Sequence, residues 1–107
     1  MKVVLTAEAL GDLERIDDYI ALDNPGRARS FVAELLDKVS ELAGLAEAFP
    51  LVPRYAERGI RRRVYGSYLI FYRVEPKQIS VVHILHGARD VDEMLSMEGQ
   101  PSVRQSD

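Results

Sequence analysis

The most constraining feature of this sequence is a change in hydrophobic period at two prolines, Pro50 and Pro53. Before them, apolar residues recur every three to four positions, which is typical of amphipathic helices. After them, apolar and polar residues alternate along β-branched and aromatic runs, which indicates β-strands. A chain with this order is expected to fold as an α+β domain in which helices pack on one sheet.

The first half predicts a short strand over residues 2–5 and an antiparallel helical hairpin over residues 6–48. Thr6 suits the N-cap of the first helix, while Asn24 and Pro25 suit the N-cap and the first turn of the second. The expected buried face of the first helix holds Leu10, Leu13, Ile16 and Ile20, and the expected solvent side holds Asp12, Glu14, Arg15 and Asp18.

Asp17 is a polar residue within the apolar arc of that first helix. A carboxylate that is removed from water needs a partner. We therefore expect Asp17 to pair with an arginine of the sheet.

The second half predicts three antiparallel strands, over residues 61–65, 68–75 and 78–86, joined by two-residue turns. One face then holds Arg61, Arg63, Tyr65, Tyr68, Ile70, Tyr72, Val81, His83 and Leu85. The other holds Arg62, Val64, Leu69, Phe71, Arg73, Ser80, Val82, Ile84 and His86. Because this second face is more aliphatic at its centre, we expect the helices to pack on it.

The end of the chain predicts a short C-terminal helix over residues 90–97. At 107 residues and 12.1 kDa, the chain is expected to form a single domain over residues 1–97, followed by a flexible tail over residues 98–107. It has no cysteine and no apolar run of membrane-spanning length, so we expect a cytoplasmic protein that does not bind membranes.

The charges are segregated along the chain. Residues 1–47 hold 5 Lys/Arg against 10 Asp/Glu, whereas residues 48–90 hold 8 against 3. Two readings are open: the halves form salt bridges with each other, or the basic middle is a functional surface. The net charge of −3 argues against direct binding to nucleic acid.

Few residues suggest catalysis. His83 and His86 are three apart on a predicted strand, so they cannot share a metal, and no metal or other cofactor is expected. His86 stands at a strand end, and with Arg61, Arg63 and Arg89 it forms the candidate catalytic set. Arginine stabilises phosphate charge but is a poor proton-transfer group, so the set does not predict an enzyme.

Three segments, "DLERIDDYIALDNPGRARSFV", "GIRRRVYGSYLIFYRVE" and "ISVVHILHGARD", follow one another in an order that resembles the RelE/ParE superfamily of type II toxin–antitoxin toxins. The resemblance covers residues 2–95. It implies either a RelE-like ribonuclease that cuts messenger RNA in the ribosomal A site or a ParE-like toxin that poisons DNA gyrase.

Two positions favour the ParE-like branch. Arg61, Arg63 and Arg89 match basic positions of RelE-like ribonucleases. Leu69 and Leu95, however, stand where those enzymes carry arginine and tyrosine. The resemblance thus implies a gyrase-directed toxin; the alternatives are a RelE-like ribonuclease and a non-toxic binding module of the same fold.

The resemblance also implies a ParD-like antitoxin that forms a hetero-oligomer with this chain. An apolar strip between the helices and the edge of the sheet suit capture of its extended or helical segment. The residues predicted to contact it are Tyr19, Leu22, Phe31, Leu35, Arg54 and Arg58. Phe31 and Leu35 have the alternative of being internal core. Arg61, Arg63 and Arg89 are predicted to contact the target.

Overall fold

The computed structural model of the protein describes residues 1–87. Its elements are β1 (Lys2–Leu5), α1 (Ala7–Ala21), α2 (Pro25–Leu45), a 3₁₀ segment (Pro53–Arg58), β2 (Ile60–Tyr65), β3 (Tyr68–Val74) and β4 (Gln78–His86). The predicted α+β order is confirmed, whereas the 3₁₀ segment was not expected. The predicted C-terminal helix, the domain end at residue 97, the tail, Arg89 and Leu95 lie outside the described residues.

Both helices begin where the sequence predicts. The Thr6 hydroxyl accepts a hydrogen bond from the Ala9 N–H (3.1 Å) and donates to the Val81 carbonyl (3.0 Å), so it caps α1 and ties it to β4. The Asn24 side chain accepts from the Arg27 N–H (3.0 Å), with Pro25 in the first turn of α2. These caps satisfy N–H groups that a helix start leaves without partners.

The four strands form one mixed sheet in the order β1-β4-β3-β2. The hairpins β2–β3 and β3–β4 are antiparallel, as predicted, and β1 pairs with β4 in parallel. The helical hairpin makes the crossover between β1 and the other strands. Strands β1 and β2 therefore form the two edges of the sheet.

Both predicted two-residue turns are confirmed, since Tyr65 pairs with Tyr68 and the Glu75 N–H donates to the Gln78 carbonyl (2.8 Å). The register shifts later in β4, where Tyr72 pairs with Val81. There a β-bulge inserts one extra residue, which reverses the faces of all positions that follow it.

The expected packing face is wrong for β2, β3 and the start of β4. The helices cover the face that carries Ile70, Tyr72 and Val81, all fully buried. The bulge brings Ile84 and His86 from the other predicted set onto this face, where they pair with Ile70 and Tyr68. The aliphatic content of a face did not identify the face on which the helices pack, because a second hydrophobic cluster lies on the opposite face. The residues of that second cluster are Val52, Tyr55, Ile60, Phe71, Val82 and Leu85, with Leu69 at its margin.

The predicted faces of α1 need two corrections. Leu10, expected inside, is 50% exposed, whereas Asp12, expected in solvent, is 2% exposed. Asp17 is half-buried, so the buried carboxylate of this helix is Asp12. Among the residues that the structure describes, no helix is both long and apolar enough to cross a bilayer.

Candidate functional site

Asp12 joins α1 to β4 beside the bulge. Its Oδ2 accepts the Ile84 N–H (2.9 Å) and lies 2.8 Å from His83 Nδ1. Its Oδ1 forms an ion pair with the exposed Arg15. His83 is 3% exposed, which fits the predicted core histidine. This buried pair serves the fold, because a proton-transfer site needs access to substrate.

Arg61 binds the loop that follows α2, and Arg63 binds α2 itself. Arg61 Nη1 donates to the Phe49 carbonyl (2.7 Å), and Arg63 Nη1 donates to the Lys38 carbonyl (3.1 Å). Arg63 also forms an ion pair with Glu41 (2.9 Å), and its side chain is only 14% exposed. Both guanidinium groups thus bind the chain itself.

His86 lies apart from these arginines. Its ring contacts Tyr68 edge-on, with 5.4 Å between ring centroids, at the end of the sheet where Tyr65 pairs with Tyr68. Arg61 pairs with Tyr72, which in turn pairs with Val81. His86 is thus two strands across, about 10 Å, and several residue pairs along from Arg61. The candidate catalytic residues within 1–87 are not brought together.

Tyr65, at the same end of the sheet as His86, is also unsuited to act as a base. The Tyr65 hydroxyl donates to Glu34 Oε1 (2.5 Å), and Arg27 Nη1 lies 2.7 Å from the other oxygen of that carboxylate. These bonds, led by that from Arg27, lower the pKa of Glu34, while the bond to Glu34 raises the pKa of Tyr65. Tyr65 therefore keeps its proton at neutral pH.

The outer edge of β1 borders an apolar groove against α2, which we call the edge groove. It has a volume of about 370 Å³ and is lined by Met1, Lys2, Val3, Leu5, Leu36, Val39, Ser40 and Ala43. β1 pairs with β4 on one side only, and no other strand of residues 1–87 pairs with it. An edge strand beside an apolar groove can accept an extended peptide through main-chain hydrogen bonds.

A second surface lies on the sheet face away from the helices. Arg54 and Arg58 stack on the Tyr55 ring, 5.8 and 5.5 Å from its centroid. Arg62 pairs with Phe71, a member of the cluster on this face. We call this surface the basic face; its residues are Arg54, Arg58, Arg62, Val64 and Arg73. It was not predicted as a unit, although the alternation of β2 places Arg62 and Val64 opposite Arg61 and Arg63.

The residues predicted to contact an antitoxin do not form one surface. Phe31 (9% exposed) and Leu35 (0%) are core residues. The expectation that they are exposed is therefore wrong. The structure shows the alternative, in which both belong to the internal core. Tyr19 (58%) and Leu22 (82%) are exposed at the turn of the hairpin. Arg54 and Arg58 lie on the basic face.

Comparisons with known proteins agree with this architecture. A family model described as "ParE toxin of type II toxin-antitoxin system, parDE" matches residues 3–91. A solved structure described as "Chromosomal ParDE TA system from P. aeruginosa" matches with a TM-score of 0.68 and 26% identity, covering 80% of this chain and 95% of that chain. None of the curated proteins matches. The family match spans most of the chain, and the chain belongs to the ParE toxin family of type II toxin–antitoxin systems.

Proposed function

We propose that this chain inhibits bacterial growth by acting on DNA gyrase in the cytoplasm, and that a ParD-like antitoxin neutralises it by forming a complex with it. Membership of the ParE family supports the role of toxin. The observation that carries the choice of gyrase over messenger RNA is the placement of the candidate catalytic groups.

A ribonuclease of this fold would need a base for the 2′-hydroxyl, an acid for the leaving oxygen and cations near the phosphate. Arg61 instead donates to the Phe49 carbonyl after α2, and Arg63 donates to the Lys38 carbonyl within α2. His86 packs on Tyr68 at a distance from both, and Leu69 contributes an apolar side chain where the ribonucleases carry arginine. Inhibition of a protein target requires none of this chemistry.

The edge groove supports binding of the antitoxin. β1 is only four residues long and offers one unpaired row of main-chain groups, to which an extended segment can add as a fifth strand. Leu36, which is 39% exposed, and Ala43 line the wall of the groove. An apolar side chain of the added strand would be buried between β1 and α2.

The test is expression of the chain in bacteria, alone and together with its cognate antitoxin. We expect growth arrest with induction of a DNA-damage reporter when the chain is expressed alone, and recovery of growth when the antitoxin is present. Incorporation of labelled amino acids should continue through the first minutes of arrest. An immediate stop in protein synthesis without DNA damage would refute action through gyrase and support the ribonuclease alternative.

A variant in the edge groove tests the antitoxin surface. Val3→Pro removes a main-chain N–H from β1 and is disfavoured within a strand, so it risks unfolding the chain. Leu36→Asp is the better change because Leu36 is partly exposed, and it places a charge in the groove. Leu36→Asp should remain toxic but escape neutralisation, whereas the matched change Leu10→Asp, at an exposed position of α1 outside the groove, should be neutralised normally.

A further inference from the structure

We propose that the basic face, formed by Arg54, Arg58, Arg62, Val64 and Arg73, is the surface through which this chain contacts its cellular target, and that it binds an acidic protein surface. The inference rests on the proposed function, since it assigns the contact surface of that toxin. It moves the predicted target contact from Arg61 and Arg63, on the face beneath the helices, to the arginines of the opposite face.

The arginines of this face surround a common centre. Arg54 and Arg58 flank Tyr55 within 6 Å of its ring centroid. Arg73 packs beside Gly59, the residue that follows Arg58, because a Cβ at Gly59 would lie 3.8 Å from Arg73 Cγ. Arg73 pairs with Ile60 across the strands, and Ile60 belongs to the same cluster as Tyr55.

An exposed apolar side chain lies beside these arginines. Val64 is 58% exposed and shares its face with Arg62, two residues earlier in β2. It pairs with Leu69, which is half-buried at the margin of the second cluster. Apolar surface next to arginine is the composition of a protein contact, where arginine side chains often contribute strongly to affinity.

The charges indicate an acidic partner. The basic face contains four arginines, whereas α1 contains one arginine and five Asp/Glu. Glu75 accepts hydrogen bonds from Ser80 (2.8 Å) and Arg73 (3.2 Å). The molecule therefore presents a basic surface on one side and an acidic helix on another, an arrangement that orients an acidic partner towards the basic face.

Nucleic acid is the less favoured occupant. The affinity of a protein for nucleic acid depends mainly on how many phosphate charges it neutralises. This chain has a net charge of −3. A long nucleic acid that extends beyond the basic face would be repelled by the acidic α1. A protein surface of limited area fits the few arginines and the single exposed valine better.

The test compares growth arrest by four proteins at matched expression: the wild type, Arg54→Glu/Arg58→Glu, Val64→Ser and the control Arg29→Glu. Arg29 is exposed on α2, so its reversal alters surface charge away from the basic face. We expect the double variant to need at least about tenfold more protein for the same arrest, a loss in the range of removed interface charges. Val64→Ser should need severalfold more, and Arg29→Glu should match the wild type.

Thermal melts of the purified proteins separate binding from folding. Val64→Ser changes an exposed side chain and should melt within a few degrees of the wild type, so its loss of potency cannot come from unfolding. Full potency of both Val64→Ser and the folded double variant would overturn the inference, and so would cross-linking of the basic face to RNA or DNA instead of protein. If the wild-type chain arrests growth while gyrase stays active, only the choice of gyrase as the target is overturned. The variants would still test whether the basic face contacts the target.

Discussion

The two faces of the sheet use the same residue type in opposite ways. On the face beneath the helices, Arg61 donates to the Phe49 carbonyl after α2, and Arg63 donates to the Lys38 carbonyl within α2. Arg62, which lies between them in sequence, belongs to the basic face on the other side of the sheet. A 21-residue helix covers the first face, whereas a six-residue 3₁₀ segment covers the second.

This difference shows that the cover over a strand decides what its arginines do. Where α2 and the loop after it supply carbonyl groups, a guanidinium group donates to them and becomes part of the fold. On the other face, only the short 3₁₀ segment covers the cluster, and its Arg54 and Arg58 are exposed. Substitutions on the helix face should therefore lower stability, and those on the basic face should lower binding.

The largest expected effect is that of Leu35→Ala beneath the helices. Leu35 is 0% exposed, and a leucine truncated at such a site lowers the free energy of unfolding by about 3–5 kcal/mol. The control Leu22→Ala, at a position that is 82% exposed, should leave it nearly unchanged. Urea denaturation measures both. If Leu35→Ala weakens antitoxin binding while stability is unchanged, the assignment of Leu35 to the core fails.

The second effect concerns Asp12→Ala, at the contact between α1 and the bulge of β4. The change leaves the Ile84 N–H and His83 Nδ1 without their acceptor, and an unsatisfied buried donor costs about 1–3 kcal/mol. We expect a loss of at least about 2 kcal/mol in the free energy of unfolding. Asp12→Asn should lose less because its amide oxygen can still accept the Ile84 N–H. The control is Asp18→Ala, which is exposed on the same helix; equal losses in Asp12→Ala and Asp18→Ala would refute this role.

A smaller effect separates neighbouring arginines. Arg63→Ala removes the bonds to Lys38 and Glu41 and the contact with the Phe49 ring, whose centroid lies 4.8 Å from its guanidinium carbon. We expect it to lower the free energy of unfolding by about 1–2 kcal/mol. Arg62→Ala should change stability by less than about 0.5 kcal/mol but reduce growth arrest. The opposite pattern would contradict the division between the two faces.

The smallest effect is a loss of stability in acid. Hydrogen bonds led by that from Arg27 lower the pKa of Glu34, and hydrogen bonds led by that from Ser80 lower the pKa of Glu75. Because both pKa values are lower in the folded state, the contribution is present above the pKa of an unfolded glutamate and is lost as pH falls through the folded pKa. Melting temperatures from pH 7 to pH 3 should fall, and Glu75→Gln should make the fall less steep. An unchanged pH profile in Glu75→Gln would show that this carboxylate does not contribute.

The sequence allowed prediction of both long helices, the four strands, both helix caps and both hairpin turns, because these depend on local residues such as Thr6 and Asn24. It did not allow prediction of the bulge in β4, beside which Asp12 of α1 accepts the Ile84 N–H. The burial of Asp12 could have been found, since Ala9, Asp12, Leu13 and Ile16 follow helical spacing. The packing face depends on the cover supplied by the 3₁₀ segment, which the alternation of the strands does not reveal.

The most direct test of the proposed function is a supercoiling assay with purified chain, gyrase and relaxed plasmid. We predict that the chain inhibits supercoiling, that added antitoxin restores it, and that His86→Ala inhibits as well as the wild type. The contradictory result is that gyrase remains fully active while ribosome-bound messenger RNA is cut by the wild type but not by His86→Ala. That outcome would establish a ribonuclease and refute the assignment of gyrase as the target.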